Sequence, residues 1–408
     1  MTDYSRYLSP MGRQLHESAI RRMGAVLAKA DDLVSFAAGY PDATLFPWDA
    51  FREISHELLS SRDATVLQYG PTRGYAPLIE AIVGVLDGRA ITATPDQVLI
   101  TSGSQQGLDL IARVLVSPGD SVLVELPAYT GAISAFKNAG ANLVGVRQDA
   151  GDGINLEDLD AVCLRERAAG RTVTLLYLVP NFQNPTGSLL SLEKRQRLLE
   201  WAERRDMLIV EDDPYGVLYF DDAASAREAR PIRADDRHGR VIYLSTFSKT
   251  LAPGFRVGWM VAPASLAERF ETAKQAVDLM SGAFDQRIVL EAVRRGLLGE
   301  LAPRLRAQYQ AKRIVMEQAL RRACGDRLTW PAPKGGFFLW ATLPDGCVDQ
   351  ALLDRAVEQR LIFVIGSAFY VDGSGHDKIR LSFSAPTLDR IEEGAKRLAA
   401  AMQPALAT

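Results

Sequence analysis

Short apolar runs alternate with longer stretches of helical periodicity through the middle of this chain. The runs are rich in Val, Ile and Leu and span residues 98–101, 121–125, 143–146, 173–179, 208–210, 241–244 and 258–261. Between them, amphipathic stretches such as residues 105–116 and 192–205 repeat with the period of an α-helix. Nearly continuous apolar strands that alternate with helices are typical of a mainly parallel sheet covered on both faces. The pattern therefore predicts an α/β fold.

The pattern changes near both ends of the chain. Beyond residue 283, helices and β-rich runs are predicted at 285–298, 302–324, 336–340, 350–360, 362–365, 378–384 and 388–402. One amphipathic helix is predicted around residues 18–30. We therefore expect a large α/β domain at 46–283, a smaller α+β domain at 284–408, and an N-terminal arm at 1–45 that packs with the smaller domain.

Composition narrows the class of protein. The 408 residues are 47% hydrophobic and 24% charged, with a net charge of -3, so there is no basic surface excess for binding nucleic acid. No apolar run approaches the length of a membrane span and no signal-peptide core is visible, which predicts a cytoplasmic protein. Three scattered cysteines and four distant histidines predict neither a disulfide framework nor a metal site.

Polar residues follow four of the predicted strands. Ser102-Gly103-Ser104 follows the first strand, and Asn184, Asp212 and residues 245–249 follow three others. Ligands of parallel sheets collect beyond the carboxyl ends of the strands. The sequence therefore predicts that these segments meet at one ligand site.

The turn at Ser104 has two interpretations. A strand ends, Gly103 allows a tight turn, and Ser104 caps the next helix, which is an ordinary structural arrangement. The same turn would also offer backbone N–H groups, with the side chains of Ser104 and Gln105, to a phosphate at the helix N-terminus. Taken alone, this motif favours neither interpretation.

An ordered set of polar side chains adds chemistry to that turn. Lys249 supplies an amine that can form a Schiff base, and Arg256 supplies a cation for a phosphate. Asp212 can keep a pyridine nitrogen protonated, while Asn184 and Tyr215 can reach a ring oxygen. Singly, these are a solvated lysine, a turn-capping carboxylate and an Asn-Pro-Thr-Gly turn. Together they are the polar groups needed to hold pyridoxal phosphate.

Two further residues have both a plain and a functional interpretation. Tyr129 follows a strand, where an aromatic ring either packs in the core or stacks on a cofactor. Arg380 shares one face of a period-two run with Ser382 and Ser384. That run is either a solvated edge strand or a pocket-facing strand whose guanidinium binds a carboxylate through two hydrogen bonds.

These motifs, in this order, resemble the fold-type I pyridoxal-phosphate aminotransferases. The resemblance runs from Ser18-Ala19-Ile20-Arg21 to Arg380-Leu381-Ser382. It is strongest to the branch that holds 2-aminoadipate (kynurenine-type) aminotransferases and the catalytic-like domains of MocR regulators. It implies a large α/β domain, a small α+β domain formed by both termini, and a homodimer whose active sites lie at the subunit interface.

The resemblance also implies a role for each site residue. Lys249 would form the Schiff base, Asp212 would pair with the pyridine nitrogen, and Tyr129 would stack on the ring. The implied cofactor-binding residues are Ser104, Gln105, Tyr129, Asn184, Asp212, Tyr215, Thr246, Ser248, Lys249 and Arg256, with Tyr69 reaching the phosphate of the other subunit. The implied substrate-binding residues are Arg380, Gly39, Asn184 and Arg21, the last for a distal carboxylate, a role that Arg22 could also fill.

The implied activity is ping-pong transfer of an amino group from an L-amino acid to a 2-oxo acid, with 2-oxoglutarate as the expected acceptor. Aminoadipate, acidic, aromatic and branched donors remain open. A β-lyase or a decarboxylase could use the same site, because the bond that breaks depends on how the substrate is oriented. A MocR-type cofactor sensor would carry a winged helix, for which the about 40 residues before the first motif are too few.

Overall fold

A seven-stranded sheet forms the centre of the computed structural model, which describes residues 2–14 and 32–403. The described strands are β1 Val34–Ser35, β2 Val98–Thr101, β3 Ser121–Glu125, β4 Asn142–Val146, β5 Val173–Leu178, β6 Leu208–Asp212, β7 Val241–Thr246, β8 Gly258–Val261, β9 Phe338–Thr342, β10 Leu361–Ile362, β11 Val364–Ile365 and β12 Lys378–Ser382. The large sheet has the order β2-β8-β7-β6-β5-β3-β4. Its strands are parallel except β8, which is antiparallel to β2 and β7. The predicted mainly parallel α/β fold is confirmed.

Helices cover both faces of this sheet. The described helices are α1 Pro10–Gln14, α2 Trp48–Ser60, α3 Ala76–Asp87, α4 Ser104–Leu115, α5 Thr130–Asn138, α6 Leu156–Ala168, α7 Leu192–Arg205, α8 Ala264–Val277, α9 Ala283–Arg294, α10 Leu297–Cys324, α11 Asp349–Glu358 and α12 Leu388–Ala401. Side chains of a strand alternate between faces. In β3, Val122 and Val124 therefore pack with α4 and α5, whereas Leu123 packs with α6 and α7.

Local sequence sets the ends of several helices. The hydroxyl of Ser191 accepts the N–H of Lys194 and caps the start of α7. The predicted break between the two long C-terminal helices was wrong by a few residues. Gly296 takes a φ of 76°, which separates α9 from α10 there rather than at residues 299–301.

A second, antiparallel sheet of three strands, in the order β11-β12-β9, carries Arg380 in its central strand. Arg380 lies opposite Trp340 on one side and Val364 on the other. Because β12 has a neighbour on each side, the interpretation of this run as a solvated edge strand is wrong. Ile379 and Leu381 lie in the main core, and Arg380 takes the opposite face.

The segment that begins at residue 32 joins the C-terminal part of the chain through β1. β1 pairs in parallel with β10, and α10 packs against α12. The domain boundaries near residues 45 and 283 stay predictions. The helix predicted at 18–30, with Arg21, lies outside the described residues. Within residues 2–14 and 32–403, no helix is both long and apolar enough to cross a membrane.

Candidate active site

Lys249 lies just beyond the carboxyl end of β7, in a single 3₁₀ turn formed by Phe247–Lys249. Its Nζ atom is 3.0 Å from the carbonyl oxygen of Gly39. Burial, together with the positive charges of Arg380 and Arg256, lowers the pKa of Lys249 to about 8. A substantial fraction of this amine is therefore unprotonated in mildly alkaline solution, where it can act as a nucleophile or a base.

Asp212 is the buried last residue of β6. Its Oδ2 atom accepts the hydroxyl of Tyr177 at 3.1 Å. Its Oδ1 atom is buried and has no hydrogen-bond partner among the described residues. Burial raises the pKa of Asp212 to about 7, although the Tyr177 hydrogen bond and Lys249 act in the other direction. An unpartnered buried oxygen is costly, so Oδ1 is suited to a donor on a ligand.

Arg380 is a buried cation on β12. Its Nη1 atom donates to Oδ1 of Asn184 at 2.8 Å, and its Nη2 atom donates to the carbonyl oxygen of Ala37 at 2.5 Å. The rings of Phe338 and Phe369 have centroids 4.2 and 5.1 Å from Cζ. Burial lowers its pKa to about 10, which still leaves it charged at neutral pH. Its partners within the described residues are an amide oxygen and a carbonyl oxygen rather than a carboxylate, so the group can bind a carboxylate from a ligand.

The turn between β2 and α4 places the N-terminus of α4 against Arg256. Gly103 has a φ of 78°, and a Cβ at that position would collide with the Arg256 guanidinium. The Nη2 atom of Arg256 donates to the carbonyl oxygen of Ser102 at 3.0 Å. The hydroxyl of Ser104 is buried and unpartnered in the part of the chain that the structure describes. With the N–H groups of the first helical turn, these residues form a cradle for an anion.

Thr246 and Ser248 are buried beside this cradle. Oγ1 of Thr246 accepts the N–H of Ser248 at 3.1 Å and lies 2.8 Å from its hydroxyl oxygen. Oγ1 also lies 3.1 Å from the carbonyl oxygen of Val257, which the hydroxyl can reach as a donor. Thr246 therefore stabilises the turn that carries Lys249. Direct phosphate binding by either hydroxyl stays a prediction.

Tyr129 and Tyr215 flank the space near Asp212. Tyr129 precedes α5, and its hydroxyl donates to Oε1 of Gln105 at 3.4 Å. The amide of Gln105 donates in turn to the carbonyl oxygen of Gly131 at 3.0 Å. Tyr215 is buried against Phe337, with ring centroids 5.3 Å apart. Burial raises the pKa of Tyr215 above its ordinary value, so its phenol stays a hydrogen-bond donor.

Residues 36–42, which we call the N-terminal strap, follow β1 and lie along the site. Their carbonyl oxygens accept hydrogen bonds as follows: Phe36 from the N–H of Ser382, Ala37 from Arg380, Gly39 from Lys249, and Tyr40 from the hydroxyl of Ser384. The strap thus brings Gly39 to Lys249 and Ala37 to Arg380. Contact of Gly39 with a substrate carboxylate stays a prediction.

Sequence reasoning missed the partners of the two consecutive acids at the end of β6. Asp213 accepts hydrogen bonds from Arg89 at 2.8 Å, Asn181 at 3.0 Å and Tyr243 at 3.1 Å. It is therefore satisfied within the protein, unlike Asp212. Tyr177, the partner of Asp212, was also missed. Its phenol in the apolar run at 173–179 was the available signal.

Tyr69 lies at the surface, 79% exposed, close in sequence to the exposed Leu67. The N–H of Gly70 donates to Sδ of Met280 at 2.9 Å, which places this loop beside the exposed Leu279. Exposed aromatic and aliphatic side chains grouped in this way are typical of a subunit interface.

Cavity volume does not locate the site. A cavity of about 640 Å³ has Pro127, Thr186, Trp340, Tyr370 and Lys378 in its wall. Neither the amine, the unpartnered carboxylate nor the buried guanidinium described above lines it. The chemistry of the buried polar groups, rather than the size of an opening, therefore defines the candidate active site.

Comparison with known proteins agrees with this assignment. The family model for aminotransferase class I and II matches residues 31–398. Aromatic-amino-acid aminotransferase 1 of Thermococcus litoralis is 39% identical over 97% of this chain and 94% of its own. The 2-aminoadipate transaminase of Thermus thermophilus is 39% identical over 97% of this chain and 96% of its own. A solved structure of Pyrococcus horikoshii kynurenine aminotransferase, in complex with PMP, covers 98% of both chains with a TM-score of 0.92 and 37% identity.

The chain belongs to the class I and II aminotransferase family. It is a fold-type I enzyme that depends on pyridoxal phosphate. The described residues fit this cofactor. Oδ1 of Asp212 and Oγ of Ser104 are buried polar atoms that lack a partner in the described ranges, and they match a ring nitrogen and a phosphate. Lys249 supplies the amine with a lowered pKa.

Proposed function

We propose that this aminotransferase takes its amino group from an aromatic L-amino acid or 2-aminoadipate and passes it to 2-oxoglutarate. The Thermococcus and Thermus relatives carry the names of these two donor classes. The observation that carries the proposal is the buried Arg380 guanidinium, which has no carboxylate partner within the described residues. A fork of donors fixed by Asn184 and Ala37 suits the α-carboxylate that all these substrates share.

When bound, pyridoxal phosphate supplies an aldehyde that exchanges for the amino group and a ring that accepts electrons from the substrate Cα. The protein residues hold it in place. Asn184 and Tyr215 would bind the ring oxygen, and Tyr129 would cover a ring face. The phosphate would be bound by Ser104, Gln105, Thr246, Ser248 and Arg256.

Two titratable residues handle protons in this proposal. Lys249 would anchor the cofactor through its amine, and the same amine would take the proton from the substrate Cα and later return a proton. Its lowered pKa, about 8, suits both directions of transfer near neutral pH. Asp212 would keep a proton on the ring nitrogen through Oδ1, which has no hydrogen-bond partner among the described residues. Gly39, whose carbonyl oxygen lies 3.0 Å from Lys249, borders the substrate carboxylate.

We further propose that the enzyme is a cytoplasmic homodimer with shared active sites. The exposed Tyr69, beside Leu67 and Leu279, supports an interface through which it reaches the phosphate site of the partner subunit. The three thiols, Cys163, Cys324 and Cys347, are all free, which suits a reducing compartment.

A donor panel tests the substrate proposal. Purified enzyme is incubated with 2-oxoglutarate and one of tryptophan, tyrosine, kynurenine, 2-aminoadipate, leucine, aspartate or alanine, and glutamate and the new oxo acid are both measured. We expect the highest kcat/KM with an aromatic donor or 2-aminoadipate. Release of carbon dioxide or ammonia without glutamate would instead identify a decarboxylase or a lyase.

A lysine variant tests the proposed anchor. Lys249→Ala should abolish turnover and leave the cofactor bound without a borohydride-reducible link to the protein. Lys396→Ala, which removes an exposed lysine of α12, should behave as wild type. A reducible link that survives in Lys249→Ala would place the anchor elsewhere.

A further inference from the structure

Two consecutive carboxylates at the end of β6 each accept a hydrogen bond from a buried tyrosine. Tyr177 donates to Asp212 and Tyr243 donates to Asp213, in both cases at 3.1 Å. Consecutive residues of a strand project to opposite faces. The two tyrosines accordingly lie in different core clusters, one with α4 and α5 and the other with the main core. The pairs are chemically alike, but only Asp212 has an unpartnered oxygen in the described part of the chain.

The position of the Tyr177 hydroxyl is fixed by the sheet and by packing. Tyr177 lies on β5 opposite Val210 of β6, so that Asp212 is its diagonal neighbour on the same face. Its ring is buried and meets Phe136 edge to face, with centroids 6.1 Å apart. The hydroxyl therefore binds Oδ2 of Asp212 from the sheet side, and Oδ1 stays available on the other side.

The hydrogen bond also affects the charge of Asp212. Burial favours the neutral acid and raises its pKa to about 7, and the charge of Asp213 acts in the same direction. The Tyr177 hydroxyl and the ammonium of Lys249 favour the carboxylate. Burial raises the pKa of Tyr177 itself well above its ordinary value, so this phenol stays a donor throughout the working pH range.

We propose that Tyr177 is a positioning residue for the cofactor: its hydroxyl holds Asp212 as a carboxylate, turned so that Oδ1 meets the ring nitrogen. This inference rests on the role proposed above for Asp212. Tyr177 touches neither substrate nor cofactor in this assignment and acts through Asp212. Without the hydroxyl, Asp212 becomes a freer and more basic group, and the proton shared with the ring moves toward the carboxylate.

Tyr177→Phe tests the proposal, with Tyr243→Phe as its matched control. Each change removes one buried hydroxyl that donates one 3.1 Å hydrogen bond to a carboxylate. Both variants should lose similar thermal stability. In Tyr177→Phe the Kd of pyridoxal phosphate should rise about tenfold, because Asp212 is no longer held in the orientation that meets the ring nitrogen, whereas Tyr243→Phe should change it little.

The chemical shift of the ring nitrogen is a measurement that a general loss of packing does not change. With ¹⁵N-labelled pyridoxal phosphate bound, its chemical shift should move toward the unprotonated value in Tyr177→Phe and stay at the wild-type value in Tyr243→Phe. The kcat of Tyr177→Phe should fall while KM for the donor changes little, because Arg380 is intact. Equal changes in both variants, or no change in Tyr177→Phe, would overturn the proposal.

An Asp212→Asn background separates this inference from the role of Asp212. If Tyr177 acts through Asp212, adding Tyr177→Phe to Asp212→Asn should change neither the ¹⁵N shift nor the cofactor Kd any further. Additive effects would show that Tyr177 acts only through packing. An Asp212→Asn enzyme with a wild-type ¹⁵N shift would overturn the role of Asp212, and this inference with it.

Discussion

Lys312 and Asp42, 270 residues apart in the chain, form a buried ion pair with an Nζ to Oδ2 distance of 2.6 Å. The same ammonium donates to the carbonyl oxygen of Ser384 at 2.8 Å, and the hydroxyl of Tyr309 accepts the N–H of Asp42 at 3.1 Å. This pair anchors the end of the N-terminal strap, whose carbonyl oxygens contact the amine and the guanidinium of the active site.

Lys312→Met should therefore impair both stability and substrate binding. It leaves the carboxylate of Asp42 buried without its cation, which costs about 3–5 kcal/mol of unfolding free energy in comparable cases. The strap should shift, and KM for every donor should rise more than kcat falls. Urea unfolding and steady-state kinetics measure the two effects. The double variant Asp42→Asn/Lys312→Met, which has no unpaired charge, should regain much of the stability; equal losses in both would contradict this account.

The lowered pKa of Lys249 predicts the pH dependence of cofactor attachment. Only the unprotonated amine attacks an aldehyde, so the rate at which apoenzyme forms its covalent link should rise with pH and level off above about 8. Arg380→Gln removes a neighbouring positive charge that lowers this pKa, and the midpoint should move to higher pH. The exposed Arg322→Gln should leave it unchanged. Stopped-flow absorbance at several pH values provides the measurement.

The same shift has a consequence for the stability of the apoenzyme. The folded amine has a pKa of about 8 and the ordinary pKa of a lysine is 10.5, so between these values the unfolded chain binds more protons. Stability contributed by this group should therefore increase as pH rises from about 8 to 10.5. Lys249→Met should remove that increase, which denaturant titrations at several pH values can detect.

Substitution of Arg380 and substitution of Arg21 should have different effects on kcat/KM across the donors. Arg380→Ala should reduce kcat/KM for every donor by about tenfold or more, because each lost hydrogen bond to a charged group is worth about 1.5–3 kcal/mol. Arg21→Ala should affect only glutamate, 2-aminoadipate and 2-oxoglutarate, which carry a distal carboxylate. Half-reactions measured separately for Arg380→Ala, Arg21→Ala and Arg22→Ala distinguish these roles, and a selective loss in Arg22→Ala instead of Arg21→Ala would assign the distal carboxylate to Arg22. An equal loss for acidic and aromatic donors would remove Arg21 from the site.

A hybrid dimer tests whether Tyr69 contributes to the active site of its own subunit or to that of the partner subunit. If each Tyr69 serves the partner subunit, a dimer of one Lys249→Ala chain and one Tyr69→Phe chain has one site with both changes and one with neither. That hybrid should retain the cofactor tightly at one site and show about half the wild-type activity. If the sites are not shared, each site carries one change. Neither site should then combine tight cofactor retention with wild-type activity.

Residues near the strand ends were predictable because a local pattern identified each of them. Lys249, Asp212 and Ser104 lie just beyond or at the ends of short apolar runs, and parallel strands bring such ends together. The direction of β8 was not predictable in this way, because apolar periodicity is the same for parallel and antiparallel strands.

Contacts between distant parts of the chain could not be predicted from the sequence either. Nothing near Asp42 in the sequence indicates that Lys312 will neutralise it, since the two meet only when the strap packs against α10 in the folded chain. The role of Tyr177 could not be predicted for a different reason. Tyrosine is common in apolar strands, and its partner is set by the register of β5 on β6 rather than by neighbouring residues.

The docking of the N-terminal strap on β12 has a consequence for biosynthesis. A chain leaving the ribosome has all seven strands of the large sheet once Val261 has emerged, but the strap cannot make its hydrogen bonds to β12 and Ser384 until Ser384 follows. At about 5–20 residues per second, this interval is on the order of ten seconds. During this interval residues 36–42 must wait for residues 378–384, so a nascent chain should gain its cofactor cradle before it gains its carboxylate clamp.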